Sequence, residues 1–335
     1  MTVREPLPTL RAMHLTRTWP GVLDAMLVSD AITPHLERAE PCAVHSIFES
    51  VLNLETPKGL ITVGGPSVGP LPHGLSISRE LDYRSLGLQS GQLVNLERHR
   101  IRIPGSNIEI DLSGATPWSP RLPVINQGAA QARWRDRAAD MRRLAAAAVR
   151  ARPGAGDGIG ALIDLDHGPS IGAIARIAGP RLECLAQAVR TGDPAAAGVA
   201  AQALVGLGPG LTPSGDDALV GMAAAVTAMA APEALDASFL GSVAESAPTR
   251  TTMVSATFLR HASAGQFSAS VHQLMGVLIG PDASDARTTL ERCVAYGATS
   301  GADMLVGALL GLDALAPAVR DRPGVPGPDW VRNAA

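Results

Sequence analysis

Two segments of the chain share one eight-residue pattern, and a glycine-containing stretch precedes each of them. Residues 214–221 read Ser-Gly-Asp-Asp-Ala-Leu-Val-Gly and residues 300–307 read Ser-Gly-Ala-Asp-Met-Leu-Val-Gly, with six of the eight positions identical. Serine and aspartate before an apolar run are typical of a helix start. Each copy ends in a glycine (Gly221 and Gly307), where the missing side chain lets two backbones approach. The repeat therefore predicts two closely packed, quasi-symmetric helices.

Two converging helix starts predict an anion pocket. The first backbone N–H groups of a helix have no partner within the helix, and the helix dipole adds partial positive charge there. With glycine-rich loops beside them, such starts suit phosphate or carboxylate. Asp216, Asp217 and Asp303 are expected at the rim of this pocket. Carboxylates placed there can hold Mg²⁺ that bridges to phosphate oxygens.

Helix capping without any ligand is the alternative explanation. Ser214 lies three residues before Asp217, and Ser300 three residues before Asp303, which is the spacing of a capping box. Two ordinary capping boxes would account for these four residues. They would not account for Asp216, which adds a second carboxylate where one suffices, or for the glycine-rich loop.

Other polar residues have two possible roles each. Thr251 and Ser255 share one face of a predicted helix, where they could line the pocket or bond back to their own backbone. His261 could be a general base or could lie at a solvated helix end. His45 is interpreted as a core or loop histidine. A dyad with Ser46 is not expected, because adjacent residues on a strand point to opposite faces.

The chain of 335 residues predicts about two domains, at roughly 150 residues each. Residues 1–125 contain short apolar or alternating segments between turn residues, which is typical of an antiparallel sheet or small barrel. Residues 126–320 have helical spacing and carry both glycine-rich motifs, and residues 321–335 form a predicted irregular tail. The predicted fold class is α+β, with a β-rich domain followed by a mainly α-helical domain.

Composition excludes several classes of protein. A net charge of −3 and an aromatic content of 3% argue against nucleic-acid binding. Lys58 is the only lysine, so the chain has no Walker-type phosphate loop. The three cysteines lie far apart, which does not support a zinc site or a disulfide framework. Without a signal-peptide pattern or an apolar stretch long enough for a membrane, a cytoplasmic protein is expected.

The segment 206–217, Gly-Leu-Gly-Pro-Gly-Leu-Thr-Pro-Ser-Gly-Asp-Asp, resembles the signature of a bacterial family typified by AllH. AllH is the third subunit of the oxamate carbamoyltransferase of the allantoin pathway. Further segments are similar to the family, more weakly at the N-terminal end, and together they extend over most of the chain. They are Val44–Ser46, Asn53–Leu54, Thr252, Ser255, Leu259, Gly265, Thr299–Gly301 and Asp303.

The resemblance implies a reaction in allantoin degradation, and so in purine catabolism and nitrogen metabolism. With two partner subunits, one of them similar to a CoA ligase, an enzyme of this type phosphorolyses oxalurate to oxamate and carbamoyl phosphate. The anion pocket fits this chemistry, because the oxalurate carboxylate and phosphate are both anions. The resemblance thus predicts one subunit of a hetero-oligomeric carbamoyltransferase that binds a small anionic substrate.

The resemblance also suggests roles for particular residues. Asp216, Asp217 and Asp303 are the candidate catalytic residues. Asp216 and Asp303 would hold Mg²⁺ or another divalent metal, or would orient the amide, with Asp217 as a cap or second ligand. Candidate residues for binding phosphate or substrate surround them. These are Gly208, Gly210, Thr212, Ser214, Gly215, Thr252, Ser255, Thr299, Ser300 and Gly301.

Two other functions stay open. The chain could act by itself as a metal-assisted hydrolase or transferase of an amide or ureide, or it could be a non-catalytic scaffold or ligand-binding subunit. Replacing Asp216 by alanine is expected to abolish activity and to leave the melting temperature nearly unchanged. A large drop in melting temperature would instead favour a structural role for this carboxylate.

Overall fold

The computed structural model describes residues 21–123, 125–163, 171–229 and 237–316. Strands dominate the first range, and helices dominate the others. The predicted α+β class, with a β-rich part before a mainly helical part, is confirmed. The domain limits at 125 and 320 stay predictions, and the tail 321–335 lies outside the described residues.

The N-terminal part is a closed barrel of eight strands with a ninth strand attached. The strands are β1 (Val22–Ser29), β2 (Cys42–Ile47), β3 (Val51–Thr56), β4 (Gly59–Gly64), β5 (Gly74–Ile77), β6 (Leu93–Glu97), β7 (Arg100–Ile103), β8 (Ile108–Asp111) and β9 (Thr116–Trp118), and the short helix α1 (Thr33–Glu37) follows β1. Around the barrel the order is β1-β5-β4-β3-β2-β6-β7-β8, and β8 pairs again with β1. The end of β1 pairs with β9.

The barrel is mixed rather than wholly antiparallel. β4 pairs with β5, and β1 pairs with both β8 and β9, in the parallel sense. The prediction of antiparallel pairing is wrong for these three contacts. Parallel neighbours need a crossover connection, and short alternating segments do not reveal which later strand they will meet. β1 and β8 are separated by most of the barrel sequence, so their pairing leaves no local pattern.

Alternate apolar side chains fill the barrel. Leu52 and Leu54 of β3, Ile61 and Val63 of β4 and Ile101 of β7 are fully buried in one cluster. Strand side chains alternate between two faces, so this spacing directs one face of each strand inward. The barrel thus has a core of its own, distinct from that of the helices.

The helical part is built around a central pair of helices. Its α-helices are α2 (Gln127–Ala151), α3 (Ala173–Thr191), α4 (Pro194–Gln202), α5 (Ser214–Met229), α6 (Gly241–Ser246), α7 (Met253–Ser263), α8 (Ala269–Ile279), α9 (Ala286–Val294) and α10 (Ser300–Leu315). α5 and α10 are apolar on nearly all sides and buried along most of their length, as expected for helices at a core centre. Within the described ranges, no helix combines the length and apolar character needed to cross a membrane.

Glycines allow α5 and α10 to touch backbone to backbone. A Cβ added at Gly221 would overlap the carbonyl oxygen of Met304, and one at Gly307 would overlap that of Ala218. These two contacts correspond under the repeat, since position 221 matches 307 and position 218 matches 304. The predicted pair of closely packed, quasi-symmetric helices is confirmed.

Replacing Gly221 by alanine is expected to lower the free energy of unfolding by about 3 kcal/mol, because the new methyl group displaces the α10 backbone. Urea denaturation measures this loss. Gly276→Ala in α8 is the matched control, since a Cβ there has nothing within 4 Å. The control should stabilise the protein by up to about 1 kcal/mol. Equal losses in the two variants would contradict the role of close packing.

A pair of stacked histidines, one buried and one half-buried, joins the barrel to the helices. His73, just before β5, stacks on His261 of α7 with the ring centroids 5.4 Å apart, and meets the edge of Phe258 at 4.7 Å. His261 Nδ1 is hydrogen-bonded to Gln266 Oε1 at 2.6 Å. Burial lowers the pKa of His261 to about 4 and the pKa of His73 well below its usual range. His261 is therefore neutral at pH 7 and packs in an interface rather than at a solvated helix end.

These histidines make stability depend on pH between about 6.5 and 4. In this window the unfolded chain binds more protons than the folded chain, so stability falls as the pH decreases. For His261 the loss amounts to roughly 3 kcal/mol. His73→Phe removes one histidine whose pKa is lowered by folding, so the loss of stability at low pH should become smaller. Urea midpoints of both proteins at pH 7.5 and pH 5 measure the difference, and identical pH dependence would refute the interpretation.

Candidate functional site

The loops before α5 and α10 meet at one end of the helix pair. The hydroxyl oxygens of Thr212 and Ser300 lie 2.8 Å apart, which ties the first loop to the start of the second helix. Gly208 and Gly297 have φ angles of 118° and 63°, a left-handed region that favours glycine. A Cβ at Gly208 would lie 2.9 Å from the backbone nitrogen of Ser214, so the loop folds tightly over the helix start. The two helix starts therefore converge.

Each helix start presents donors toward this meeting point. The N–H groups of Gly215 and Gly301 donate to carbonyls of their preceding loops, at 2.9 and 3.0 Å. In the part of the chain that the structure describes, no hydrogen bond engages the backbone N–H of Ser214 or of Ser300. Each start thus offers a serine N–H without a partner, which is a donor suited to an anion, and the serine hydroxyl lies beside it.

The capping-box interpretation is wrong. Ser214 and Ser300 are the first residues of their helices rather than the residues before them. The N–H groups of Asp217 and Asp303 donate to backbone carbonyls at 3.1 and 2.9 Å, not to serine hydroxyls. Each loop turns into its helix one residue earlier than the serine–aspartate spacing implies, so the serine side chains are left for other contacts.

Asp303 is completely buried at this site. Its Oδ1 accepts hydrogen bonds from the backbone N–H groups of Ile159 at 2.7 Å and Gly160 at 3.1 Å. Its Oδ2 is buried and has no hydrogen-bond partner among the described residues. Burial raises the pKa of Asp303, and the hydroxyl of Ser214 together with these N–H groups offsets part of the rise.

Asp217 occupies the equivalent position on the first helix. Its Oδ2 is buried too, and nothing in the described ranges donates to it. Burial, followed by the nearby charge of Asp303, raises the pKa of Asp217 well above its usual range, while the hydroxyl of Ser300 lowers it in part. Each carboxyl therefore lies beside the serine of the other helix. Because two like charges repel in a buried site, each carboxyl makes ionisation of the other less favourable.

The segment 158–160 completes the surroundings of Asp303. A Cβ at Gly158 would overlap the Asp303 carboxylate and would lie 2.7 Å from Ser214 Oγ, so glycine is required here. Sequence reasoning missed this segment. Its signal was the glycine-rich stretch 154–160, but no local spacing links that stretch to Asp303, which is 143 residues from Gly160.

Asp216 has a different set of partners. Its Oδ1 accepts from the backbone N–H of Gly206 at 2.9 Å, and its Oδ2 accepts from Thr251 Oγ1 at 2.5 Å and Ser255 Oγ at 2.7 Å. Burial raises the pKa of Asp216, although these hydrogen bonds favour its charged form. Both of its oxygens are thus engaged in tying α5 to the loop before it and to α7.

The candidate residues at the start of α7 hold the glycine-rich loop in place. Thr252 Oγ1 accepts from the N–H of Ser255 at 3.1 Å, which caps the helix, and donates to the carbonyl oxygen of Leu211. Thr251 and Ser255 donate to Asp216, so the alternative that they bond back to their own backbone is wrong. A contact of Thr252 or Ser255 with substrate stays a prediction.

The remaining candidates border the same end of the helix pair. Gly210 has a φ of 99°, and a Cβ there would meet nothing within 4 Å. A Cβ at Gly215 or Gly301 would overlap a backbone carbonyl, so both glycines serve close packing. Thr299 precedes α10 without a side-chain capping bond, and its hydroxyl lowers the pKa of Asp303 in part. Their roles in binding stay predictions.

The two residues predicted to hold a divalent metal differ in the carboxylate oxygens that they have available. Across the described ranges, no group of three or more His, Cys, Asp or Glu side chains is arranged to hold a metal ion. Of the two predicted ligands, Asp216 has both oxygens engaged, whereas Asp303 keeps Oδ2 for another partner. Mg²⁺ at Asp216 and Asp303 stays a prediction, with Asp303 as the better placed of the two.

A β-bulge brings His45 and Ser46 together, contrary to the expectation for adjacent strand residues. The register of β2 against β3 shifts between Val44 and Ser46. His45 Nδ1 lies 3.0 Å from Ser46 Oγ, which also accepts from Asn53 Nδ2 at 3.0 Å. Thr62 Oγ1 in turn donates to Asn53 Oδ1 at 2.7 Å. The bulge adds a residue on one strand and so turns both side chains toward this buried polar network.

Comparisons with known families cover both parts of the fold. Residues 204–312 match the family model described as oxamate carbamoyltransferase subunit AllH. Residues 24–117 match the model described as the AllH family N-terminal domain. The first match contains both glycine-rich motifs and α7, the second contains most of the barrel, and together they span more than half of the chain. No solved structure gives a significant match.

The expectation of a nearly unchanged melting temperature for Asp216→Ala is revised by these contacts. The replacement should destabilise the fold by about 3 kcal/mol or more, because two part-buried donors and one buried donor lose their acceptor. Thermal melting and urea denaturation measure the loss. Asp140→Ala is the matched control, since that carboxylate is exposed on α2 and its ion pair with Arg143 contributes little. An unchanged melting temperature for Asp216→Ala would show that the carboxylate is not structural and would return it to the catalytic candidates.

Proposed function

The chain belongs to the AllH-type family, and on this premise we propose that it is a subunit of a carbamoyltransferase complex of the oxamate carbamoyltransferase type. The family description of residues 204–312 names such a subunit, which supports a hetero-oligomer rather than a single-chain enzyme. The proposed partners are a CoA-ligase-like subunit and a second subunit. The proposed setting is allantoin degradation in the cytoplasm.

The convergence of the two helix starts is the observation that carries the proposed site. Ser214 and Ser300 each bring an N–H and a hydroxyl to the same end of the helix pair, and Thr212 bridges the two loops. With the loop amides of 208–210, these donors would bind phosphate and the substrate carboxylate. Preorganised donors and helix dipoles in a buried site also stabilise charge that develops during group transfer.

In the proposed reaction, a phosphate oxygen attacks the carbamoyl carbon of oxalurate or a related ureide. The bond from that carbon to the ureide nitrogen breaks, and the nitrogen takes up a proton to leave as oxamate, so that carbamoyl phosphate forms. Asp217 and Asp303 are the candidates for moving this proton, because burial raises both pKa values. Asp216 supports the site by holding its loop.

The first experiment is affinity purification of the tagged chain from its own host, with mass spectrometry of the proteins that accompany it. We expect two partner subunits, one of them CoA-ligase-like. The purified complex is then assayed for phosphorolysis of oxalurate.

Ser300→Ala should lower kcat/KM by roughly 10²-fold with assembly intact, because one donor to a developing charge is lost. Ser284→Ala, an exposed serine before α9, is the matched control and should leave the rate unchanged.

Other outcomes would favour the alternative functions. If the chain purifies alone and hydrolyses small carboxylated amides with a divalent metal, it is a stand-alone enzyme. If the complex assembles and Ser300→Ala leaves its rate unchanged, the chain is a scaffold or ligand-binding subunit whose helix starts do not contact the reacting groups.

A further inference from the structure

Two carboxylate oxygens at the proposed anion site lack a hydrogen-bond partner in the described part of the chain. They are Oδ2 of Asp217 and Oδ2 of Asp303, and both are buried. A buried polar group without a partner lowers stability by about 1–3 kcal/mol, and by more when it is charged. Buried acceptors of this kind indicate a ligand that supplies the missing donors.

The surroundings of these oxygens restrict the chemistry of that ligand. Asp303 is 0% exposed and faces Gly158 and Ser214 at the start of α5. Asp217 lies beside Ser300 at the start of α10. The two acceptors are therefore next to the N–H and hydroxyl donors of both helix starts. A ligand that pairs with both the carboxylate acceptors and the donors of the helix starts carries N–H donors and, close to them, an anionic group.

A primary amide suits this arrangement better than a divalent cation does. Mg²⁺ demands nearly octahedral oxygen coordination and gives up its waters reluctantly, which disfavours it at an oxygen as deeply buried as Oδ2 of Asp303. Unpartnered N–H donors beside the pair would also repel a cation. The NH₂ of an amide has two N–H bonds, which matches one donor to each orphaned oxygen.

We infer that Asp217 and Asp303 are specificity-determining residues that each accept a hydrogen bond from the NH₂ of a primary carbamoyl or amide group. The inference rests on the proposed function, because it takes the anion site of that proposal as the place where the carboxylate of the same ligand binds. A ligand with a carboxylate in place of the amide offers these residues no donor and brings a like charge next to them. Sites built to bond an N–H reject such analogues strongly, by factors of up to about 10⁴.

Oxamate and oxalate are the probes for this inference, since oxamate carries an amide where oxalate carries a second carboxylate. Isothermal titration calorimetry of the full-length chain at pH 7.5 with EDTA compares their affinities. We expect the wild-type chain to bind oxamate at least about tenfold more tightly than oxalate. In Asp217→Asn and Asp303→Asn the preference should fall below about threefold, because asparagine presents an N–H where the acceptor stood.

The variants are chosen to keep the fold. In Asp303→Asn the amide oxygen can still accept from Ile159 and Gly160, and in Asp217→Asn the altered oxygen has no partner among the described residues. Thermal melting checks that both variants fold. If Asp303→Asn does not fold, Asp217→Asn alone provides the test. Asp140→Asn, at an exposed position of α2, is the matched control and should keep the wild-type preference.

Three results would overturn the inference. Equal affinity of the wild-type chain for both probes would overturn the inference but would agree with the proposed anion site. Failure to bind either probe at millimolar concentration would overturn both the inference and the proposed anion site. If oxalate binds more tightly than oxamate when Mg²⁺ replaces EDTA, the inference is overturned in favour of a metal site.

Discussion

The backbone contact between α5 and α10 is the interaction on which the rest of the structure depends. Gly221 and Gly307 let the two helices approach until carbonyl oxygens meet α-carbons, and any larger residue would separate them. This approach brings the two helix starts together, with Thr212 and Ser300 in hydrogen-bonding contact. The contact is reciprocal under the repeat, so the carboxyls at the equivalent positions 217 and 303 lie near each other although 86 residues separate them in the chain.

The apolar core around this pair supports a site that is unfavourable by itself. Buried like-charged carboxyls with unpartnered oxygens reduce stability, and proteins retain such groups where function needs them. The network around Asp216 has the opposite character, because its oxygens are engaged by Gly206, Thr251 and Ser255. One carboxylate thus stabilises the loop, while Oδ2 of its neighbour in sequence, Asp217, has no hydrogen-bond partner among the described residues.

Much of the fold followed from local patterns, and the parts that did not have identifiable causes. Helix starts and turn residues predicted the helical part and most of the short strands. They did not indicate β1, whose neighbours β5, β8 and β9 lie far along the chain, or α3, which contains Pro180 in its interior. The bulge at His45 and Ser46 also had no sequence signal, since a shift of register depends on the partner strand.

For the candidate site, the sequence by itself determined the helix pair, its close approach and the presence of serine and aspartate at each start. Residue type and the spacing of a few positions determine these features, because local backbone geometry places such residues at a helix start or on one helix face. The tertiary structure decided which aspartates pair. Asp216 and Asp217 project from adjacent positions of one helix, about 100° apart around its axis, and the packing of α7 and α10 sets which of them faces the second carboxyl. It also brought residues 158–160 to Asp303, because contacts across such a sequence separation arise when the chain folds and leave no local pattern.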